Sequence, residues 1–346
     1  MEGLLDPGQE NVCHMATKVE VRSNAPADLF DGTPERGEAL LALLQALQQD
    51  DYHFVTPTPA THARVLARSS RQVARNLRDV LGWSLPFQAD VISENILSLL
   101  QRAGAVSPRP GGMLGADVRV SSVHGTLFLH SAYPTEAEDS VFLGPDSYRF
   151  ADLIVAKAGP APDDRPRVLD YGAGAGVGGI IAARRWGAEV VLADINPKAS
   201  FLSSINARFA GLKHQIVRAQ TPGEVSGPFD LIVTHPPFMM DEGRRAYRDG
   251  GDLHGARLSL DWALESLEKL TPGGKLILHT GVSIVDGRDV LREELTRSLA
   301  GPEWSIDYHE LDADIFSEDL DTPPYVRDDV ERIAAIGLCI SRNAAP

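Results

Sequence analysis

The sequence predicts an α/β fold: a parallel sheet covered by helices on both faces, preceded by a smaller, mainly helical N-terminal domain. Three observations carry this. Strand-like and helix-like segments alternate from about residue 140 onward, the rhythm of a parallel sheet with crossover helices. Before that point apolar residues recur at helical spacing. At the end of the first strand-like segment, a glycine-rich turn leads straight into a helix. We therefore divide the chain into a flexible tail (1–30), an N-terminal helical, winged-helix-like domain (31–135) and an α/β domain (136–346).

Composition agrees. The chain has 346 residues, enough for two domains, with 43% hydrophobic and 23% charged residues. No run of about 18 apolar residues predicts a membrane span, and the opening MEGLLDPGQENVCHM has no basic stretch followed by an apolar one. Cys13 and Cys339 show no zinc spacing, so a reduced, cytoplasmic protein without a metal is expected. The net charge of −15 keeps the protein soluble and argues against a partner held mainly through phosphate contacts.

In order, PERGEALLALLQALQQD places Leu40, Leu43, Leu44 and Leu47 on one helical face. THARVLARSSRQVARNLRDVLG continues as helix, with Ser69 or Ser70 as a cap, and ADVISENILSLLQRAGAV is a third helix stopped by Gly104. PRPGGML is a break, and DVRVSSVHGTLFLHSA forms two strands around His124-Gly125. The α/β part then reads as strand RVLDYG, helix GVGGIIAARRWG, strand EVVLADI, helix PKASFLSSINARFAGL, strand HQIVRA and strand FDLIVTH. After a long loop come helix GARLSLDWALESLEKL, strand GKLILHTG, helix GRDVLREELTRSLAG, and strands WSIDYHEL and RIAAIGLCIS. With no helix predicted between them, these last two suit an antiparallel edge pair.

Two segments point to chemistry. Asp170-Tyr171-Gly172-Ala173-Gly174-Ala175-Gly176 ends a strand and opens a helix, letting backbone approach a ligand closely. About 20 residues on, Asp194 ends the next strand, where a carboxylate can accept ribose hydroxyls. Gly174 to Gly179 also satisfy G-x-G-x-x-G, so a nicotinamide-dependent oxidoreductase is an alternative. Further on, Thr234-His235-Pro236-Pro237-Phe238 follows a strand. Prolines fix backbone carbonyls toward one point, and acceptors gripping the N–H groups of a nitrogen stabilise the positive charge that develops on it. An aromatic ring can hold a planar acceptor in place.

The D-x-G-x-G-x-G loop, the Thr-His-Pro-Pro-Phe segment and Pro272-Gly273-Gly274 together resemble class I S-adenosylmethionine-dependent methyltransferases, over roughly residues 140–345. The likeness is to the small-domain family that includes release-factor glutamine N-methyltransferases and ribosomal RNA guanine-N2 methyltransferases. It implies a Rossmann-like, seven-stranded sheet and S-adenosylmethionine as cofactor. The cofactor would be held by Asp170, Gly172, Ala173, Gly174, Gly176, Asp194, Ile195, Asn196, Ala219, Gln220 and His235. His235, Pro236, Pro237 and Phe238 would form the catalytic segment, and Asp146, Tyr148, Tyr247 and Arg248 would meet the substrate. The expected reaction is methyl transfer to an amide or amine nitrogen of a protein, peptide or small molecule. An RNA base ranks after these on charge, and a non-catalytic S-adenosylmethionine-binding protein is the alternative.

His235 departs from the pattern, since the family has Asn or Asp there. A neutral imidazole offers one acceptor nitrogen and can also take a proton; the alternative is a histidine that only packs at the strand end. The following loop, MMDEGRRAYRDGGDLHGARLS, is long and polar, which suits either a substrate cover or a solvated surface loop with internal Arg–Asp pairs. His254 is read as the start of the next helix, and the acidic LDADIFSEDLDTPPYVRDD as a loop between the last strands.

Overall fold

The computed structural model describes residues 34–162, 165–245 and 247–343; the expected tail at 1–30 lies outside them. The N-terminal part comprises α1 (Pro34–Gln49), α2 (Pro59–Leu66), α3 (Leu77–Leu81) and α4 (Glu94–Arg102), then β1 (Val106–Arg109) paired with β2 (Met113–Ala116), and β3 (Val118–Val123) paired with β4 (Thr126–Ser131). The leucine face of α1 is buried as its spacing predicts. Two expectations change. The 61–82 stretch is not one helix capped at Ser69 or Ser70: Thr58 caps α2 and Asn76 caps α3, each accepting a backbone N–H. The Pro-Gly-Gly break is the turn of a hairpin, with Gly111 and Gly112 at positive φ.

The second part runs α5 (Pro145–Lys157), β5 (Arg167–Tyr171), α6 (Val177–Trp186), β6 (Glu189–Ala193), α7 (Pro197–Phe209), β7 (His214–Val217), β8 (Phe229–Thr234), α8 (Arg257–Leu267), β9 (Leu270–Val285), β10 (Arg288–Asp289), α9 (Val290–Ser298), β11 (Trp304–Asp312), α10 (Pro323–Arg327) and β12 (Arg332–Arg342). The sheet order is β11-β12-β9-β8-β5-β6-β7, with the two-residue β10 added against β9. β9, β8, β5, β6 and β7 are parallel, while β12 is antiparallel to both β9 and β11. This is the expected Rossmann-like, seven-stranded arrangement. The last two strands form the expected antiparallel pair at one end of the sheet, β11 outermost and β12 between it and β9; the one difference is the short α10 between them. Cover on both faces of the sheet explains the unbroken apolar run Ile333–Ile340.

Side chains alternate between two cores along each central strand. Val168, Val190 and Leu231 face one core with α5, α6 and α7; Leu169, Val191 and Ile232 face the other with α8 and α9. The first core continues into α1 and β4, so the N-terminal helices and the sheet share one apolar interior. Buried Asn206 on α7 locks the junction. Its amide exchanges hydrogen bonds with the backbone of Leu129 on β4 (2.9 and 3.0 Å) and donates to the carbonyl of Ala175 in the glycine turn (2.9 Å). No helix among the described residues is long and apolar enough to cross a membrane.

Truncating Leu43, fully buried on α1, is expected to cost about 2–5 kcal/mol. Because its core is shared with the sheet, urea unfolding of Leu43→Ala should remain one transition at a lower midpoint. Two separated transitions would show that the N-terminal part unfolds by itself.

Candidate active site

A cavity of about 390 Å³ opens at the carboxyl ends of β5, β6 and β8, where parallel sheets bind ligands. Four stretches distant in sequence meet there: the glycine turn after β5, Asp194 to Asn196 after β6, His235 to Met239 after β8, and residues 133–142 leading out of the N-terminal part.

The glycine turn holds an alternating backbone. Gly172, Gly174 and Gly176 take φ of +69°, +54° and +81°, a region that strains other residues. The N–H groups of Gly172 and Ala173 donate to the carbonyl of Ala193, and that of Gly174 donates to Asp194 Oδ2 at 2.8 Å. Asp194 Oδ1 accepts from the N–H of Asn196 at 2.8 Å, so one carboxylate ties the ends of β5 and β6 together. Beneath the turn, Asp170 is buried and accepts from the N–H of Gly179 at 2.7 Å. A Cβ on Gly179 would stand 2.7 Å from the Asp170 Cβ, so only glycine lets α6 come this close. Burial pushes the Asp170 carboxyl up to about 7; the Gly179 bond opposes this and the Asp194 charge adds to it. Burial also raises Asp194, against its three backbone hydrogen bonds.

Thr234 closes β8 by donating its hydroxyl to the carbonyl of Tyr171 at 2.8 Å, which sets the following segment beside the glycine turn. His235 Nδ1 lies 2.9 Å from the carbonyl of His279 on β9. A carbonyl only accepts, so this nitrogen carries a proton, and in the neutral tautomer that this bond selects the lone pair lies on Nε2. His279 Nδ1 is 3.1 Å from the same nitrogen and faces it as an acceptor, leaving the His279 proton on a buried Nε2 with no partner among the described residues. Burial, with His235 and Arg149 nearby, holds His279 well below the usual histidine range, and hence neutral. Asp146 also faces His235; burial raises its carboxyl, opposed by His235 and by Arg149, which donates to it at 3.0 Å.

In the long loop after Phe238, the described residues Met239, Arg245, Tyr247 and Arg248 line the cavity. Met239 N–H donates to the Arg248 carbonyl and Gly250 N–H donates back to the Met239 carbonyl, both at 2.9 Å. This return is possible because Gly250 and Gly255 have no side chains: a Cβ at either would strike backbone, at 1.8 and 2.3 Å. Arg245 pairs with Asp241 at 2.6 Å, and Arg248 pairs with Asp319 from the acidic segment between β11 and β12. Tyr247 donates to the carbonyl of Thr135 at 3.1 Å, fastening the loop to the N-terminal part. On that side Tyr133 is held by stacking on His62, with ring centroids 3.9 Å apart.

Of the residues singled out in the sequence, the cavity wall includes Asp146, Asp170, Gly172, Ala173, Gly174, Asp194, Ile195, Asn196, Gln220, His235, Pro236, Pro237, Phe238, Tyr247 and Arg248. Three stand outside it. Tyr148 points its hydroxyl at the N–H of Thr56 (3.0 Å), where it joins helix α5 to the N-terminal part. Gly176 starts α6 and packs against Ile180 and Ser203. Ala219 is buried behind the wall. His254 pairs with Asp328 at 2.9 Å, away from the cavity. Sequence reasoning missed His279, Phe150, Trp262 and the 133–138 stretch. Only His279 left a signal, as a histidine in the apolar run of β9.

Asp170 is a liability for the fold above pH 7. Its carboxyl is raised in the folded chain, so the folded state binds more protons than the unfolded one between pH 3.8 and about 7, and stability falls as pH rises through that window. Asp170→Asn keeps an acceptor for Gly179 and removes the buried charge. It should gain at least about 1 kcal/mol over wild type at pH 8 and little at pH 4, read by thermal unfolding. A loss of stability at pH 8 would contradict the burial argument.

Residues 153–280 match the family model described as the methyltransferase small domain. The release factor glutamine methyltransferase of Deinococcus radiodurans is 33% identical over 131 residues, 38% of this chain and 46% of that protein. The same enzyme from Chlorobaculum tepidum is 28% identical over 46% of this chain and 59% of its own length. The ribosomal RNA small subunit methyltransferase C of Pseudoalteromonas atlantica is 34% identical over 73 residues, 21% of each chain. This chain thus spans about half the length of the curated relatives matched first. The glycine turn, Asp194 and the Thr-His-Pro-Pro-Phe segment all fall inside the matched stretch.

Proposed function

We propose that this chain is an S-adenosylmethionine-dependent N-methyltransferase acting on an amide or amine nitrogen of a protein, peptide or small molecule. The observation that carries this is the meeting of two segments in one cavity: the glycine turn with Asp170 and Asp194, and the Pro-Pro-Phe segment with His235.

The residues present fit the cofactor. Asp170 offers its second oxygen, which takes no partner among the described residues, to the methionine ammonium. A Cβ at Gly174 would meet nothing nearer than 4.0 Å, so the turn leaves an open cradle. Asp194 keeps a lone pair on each oxygen for ribose hydroxyls, and exposed Ile195 beside it is a flat apolar seat for a base. Bound there, S-adenosylmethionine supplies an electrophilic methyl group on a sulfonium. The protein orients the acceptor: Pro236 and Pro237 fix their carbonyls, and His235 presents Nε2. The Phe238 ring is seated against Gly281, where any Cβ would clash at 2.3 Å. The relatives are named for glutamine and for ribosomal RNA; the net charge of −15 ranks RNA last here.

Transfer of a radiolabelled methyl group from S-adenosylmethionine into an extract of the source cells should label protein or small molecules. His235→Ala should lose at least about 100-fold in turnover while S-adenosylhomocysteine binds within a few-fold of wild type. Unchanged turnover would remove His235 from the reaction.

A further inference from the structure

Resting on the methyltransferase reading, we infer that the acceptor is a basic amine that enters the cavity as an ammonium ion, and that His235 Nε2 removes its proton before transfer.

Three observations converge. The first is the fixed ring of His235. Its Nδ1–H is committed to the His279 carbonyl at 2.9 Å, with the buried His279 Nδ1 beside it at 3.1 Å, so Nε2 is the nitrogen left to face an acceptor. Asn or Asp at this place would supply an oxygen to grip an amide N–H. An imidazole lone pair also takes a proton, which an ammonium must lose before it is a nucleophile and an amide need not lose. The second is charge. Beside Asp170 and Asp194, which serve the cofactor, Glu136, Glu138 and Asp146 line the cavity, and its two arginines are already paired, Arg245 with Asp241 and Arg248 with Asp319. Asp146 shares Arg149 with Asp312, whereas Glu136 and Glu138 have no ion-pair partner among the described residues. Such a wall attracts a cation. The third is the aromatic lining. Tyr133, Phe142, Phe150, Phe238 and Tyr247 line the cavity, and ring faces hold ammonium groups by cation–π attraction.

The groups packed around His235 are the uncharged His279 ring, Asp146 with its Arg149, and the rings of Phe150 and Phe238 at 5.7 and 5.9 Å. The step balances. The ammonium proton passes to His235 Nε2. The freed nitrogen lone pair forms the N–CH3 bond while the C–S bond breaks with its electrons on sulfur, giving S-adenosylhomocysteine. The product nitrogen carries the positive charge, and His235 returns its proton to solvent.

Two measurements test this. Long-range 1H–15N spectra of the ligand-free protein, with the His235 signals assigned by loss in His235→Ala, should show the Nδ1–H tautomer; an Nε2–H tautomer overturns the base role. In the second, label transferred from S-adenosylmethionine into extract is subjected to strong-acid hydrolysis. Label retained on an acid-stable, cation-exchange-bound amine supports the inference. Release as volatile methylamine, the mark of an N-methyl amide, or as methanol from an ester, overturns it and leaves methyl transfer standing. No transfer to any acceptor while S-adenosylhomocysteine binds defeats the methyltransferase reading itself.

Discussion

The buried carboxylate of Asp170 is the constraint around which the site is organised. It sits at the end of a central strand, under a turn that must pass over it and into a helix that must come close to it. That one placement requires glycine at 179 for the approach and left-handed glycines at 172, 174 and 176 for the turn. It also leaves a carboxyl whose ionisation costs stability unless a cation answers it. A group kept at a cost to the fold points to use elsewhere, and a cationic ligand is the use this geometry offers.

From that turn the wall of the cavity is assembled by cross-ties of the same kind. Asp194 joins the turn to the next strand, Thr234 joins β8 to β5, and the His279 carbonyl orients His235. Asn206 reaches from the glycine turn to β4, so the N-terminal part and the turn are positioned by one amide. Tyr247 fastens the long loop to Thr135 from the other side. The N-terminal part thereby contributes Pro59, Tyr133 and Pro134 to the cavity, which makes it a wall of the site as well as a cover for the sheet.

Much of this was legible in the residues themselves. The alternation of strand and helix, the Asp-x-Gly turn and the Pro-Pro-Phe segment are local patterns, and local patterns survive in a sequence. What escaped depends on pairing between distant residues. The broken 61–82 helix reflects Thr58 and Asn76 acting as caps where serines seemed better placed. Tyr148, four residues from the glycine that opens α5, turns its hydroxyl to Thr56 instead of the cavity. Arg248, read as a partner for a substrate anion, is claimed by Asp319 across 71 residues of chain. His279 gains its meaning only from standing beside His235.

The central claim is that the cavity over Asp170 receives a cationic S-adenosyl ligand. Calorimetric binding of S-adenosylhomocysteine from pH 5.5 to 8 tests it most directly, because the ligand's ammonium stays charged across that range while Asp170 titrates near 7. The account predicts one site, with affinity rising close to tenfold per pH unit below 7 and levelling above it, and with this slope absent in Asp170→Asn. No binding, or an affinity independent of pH in the wild-type protein, would contradict it.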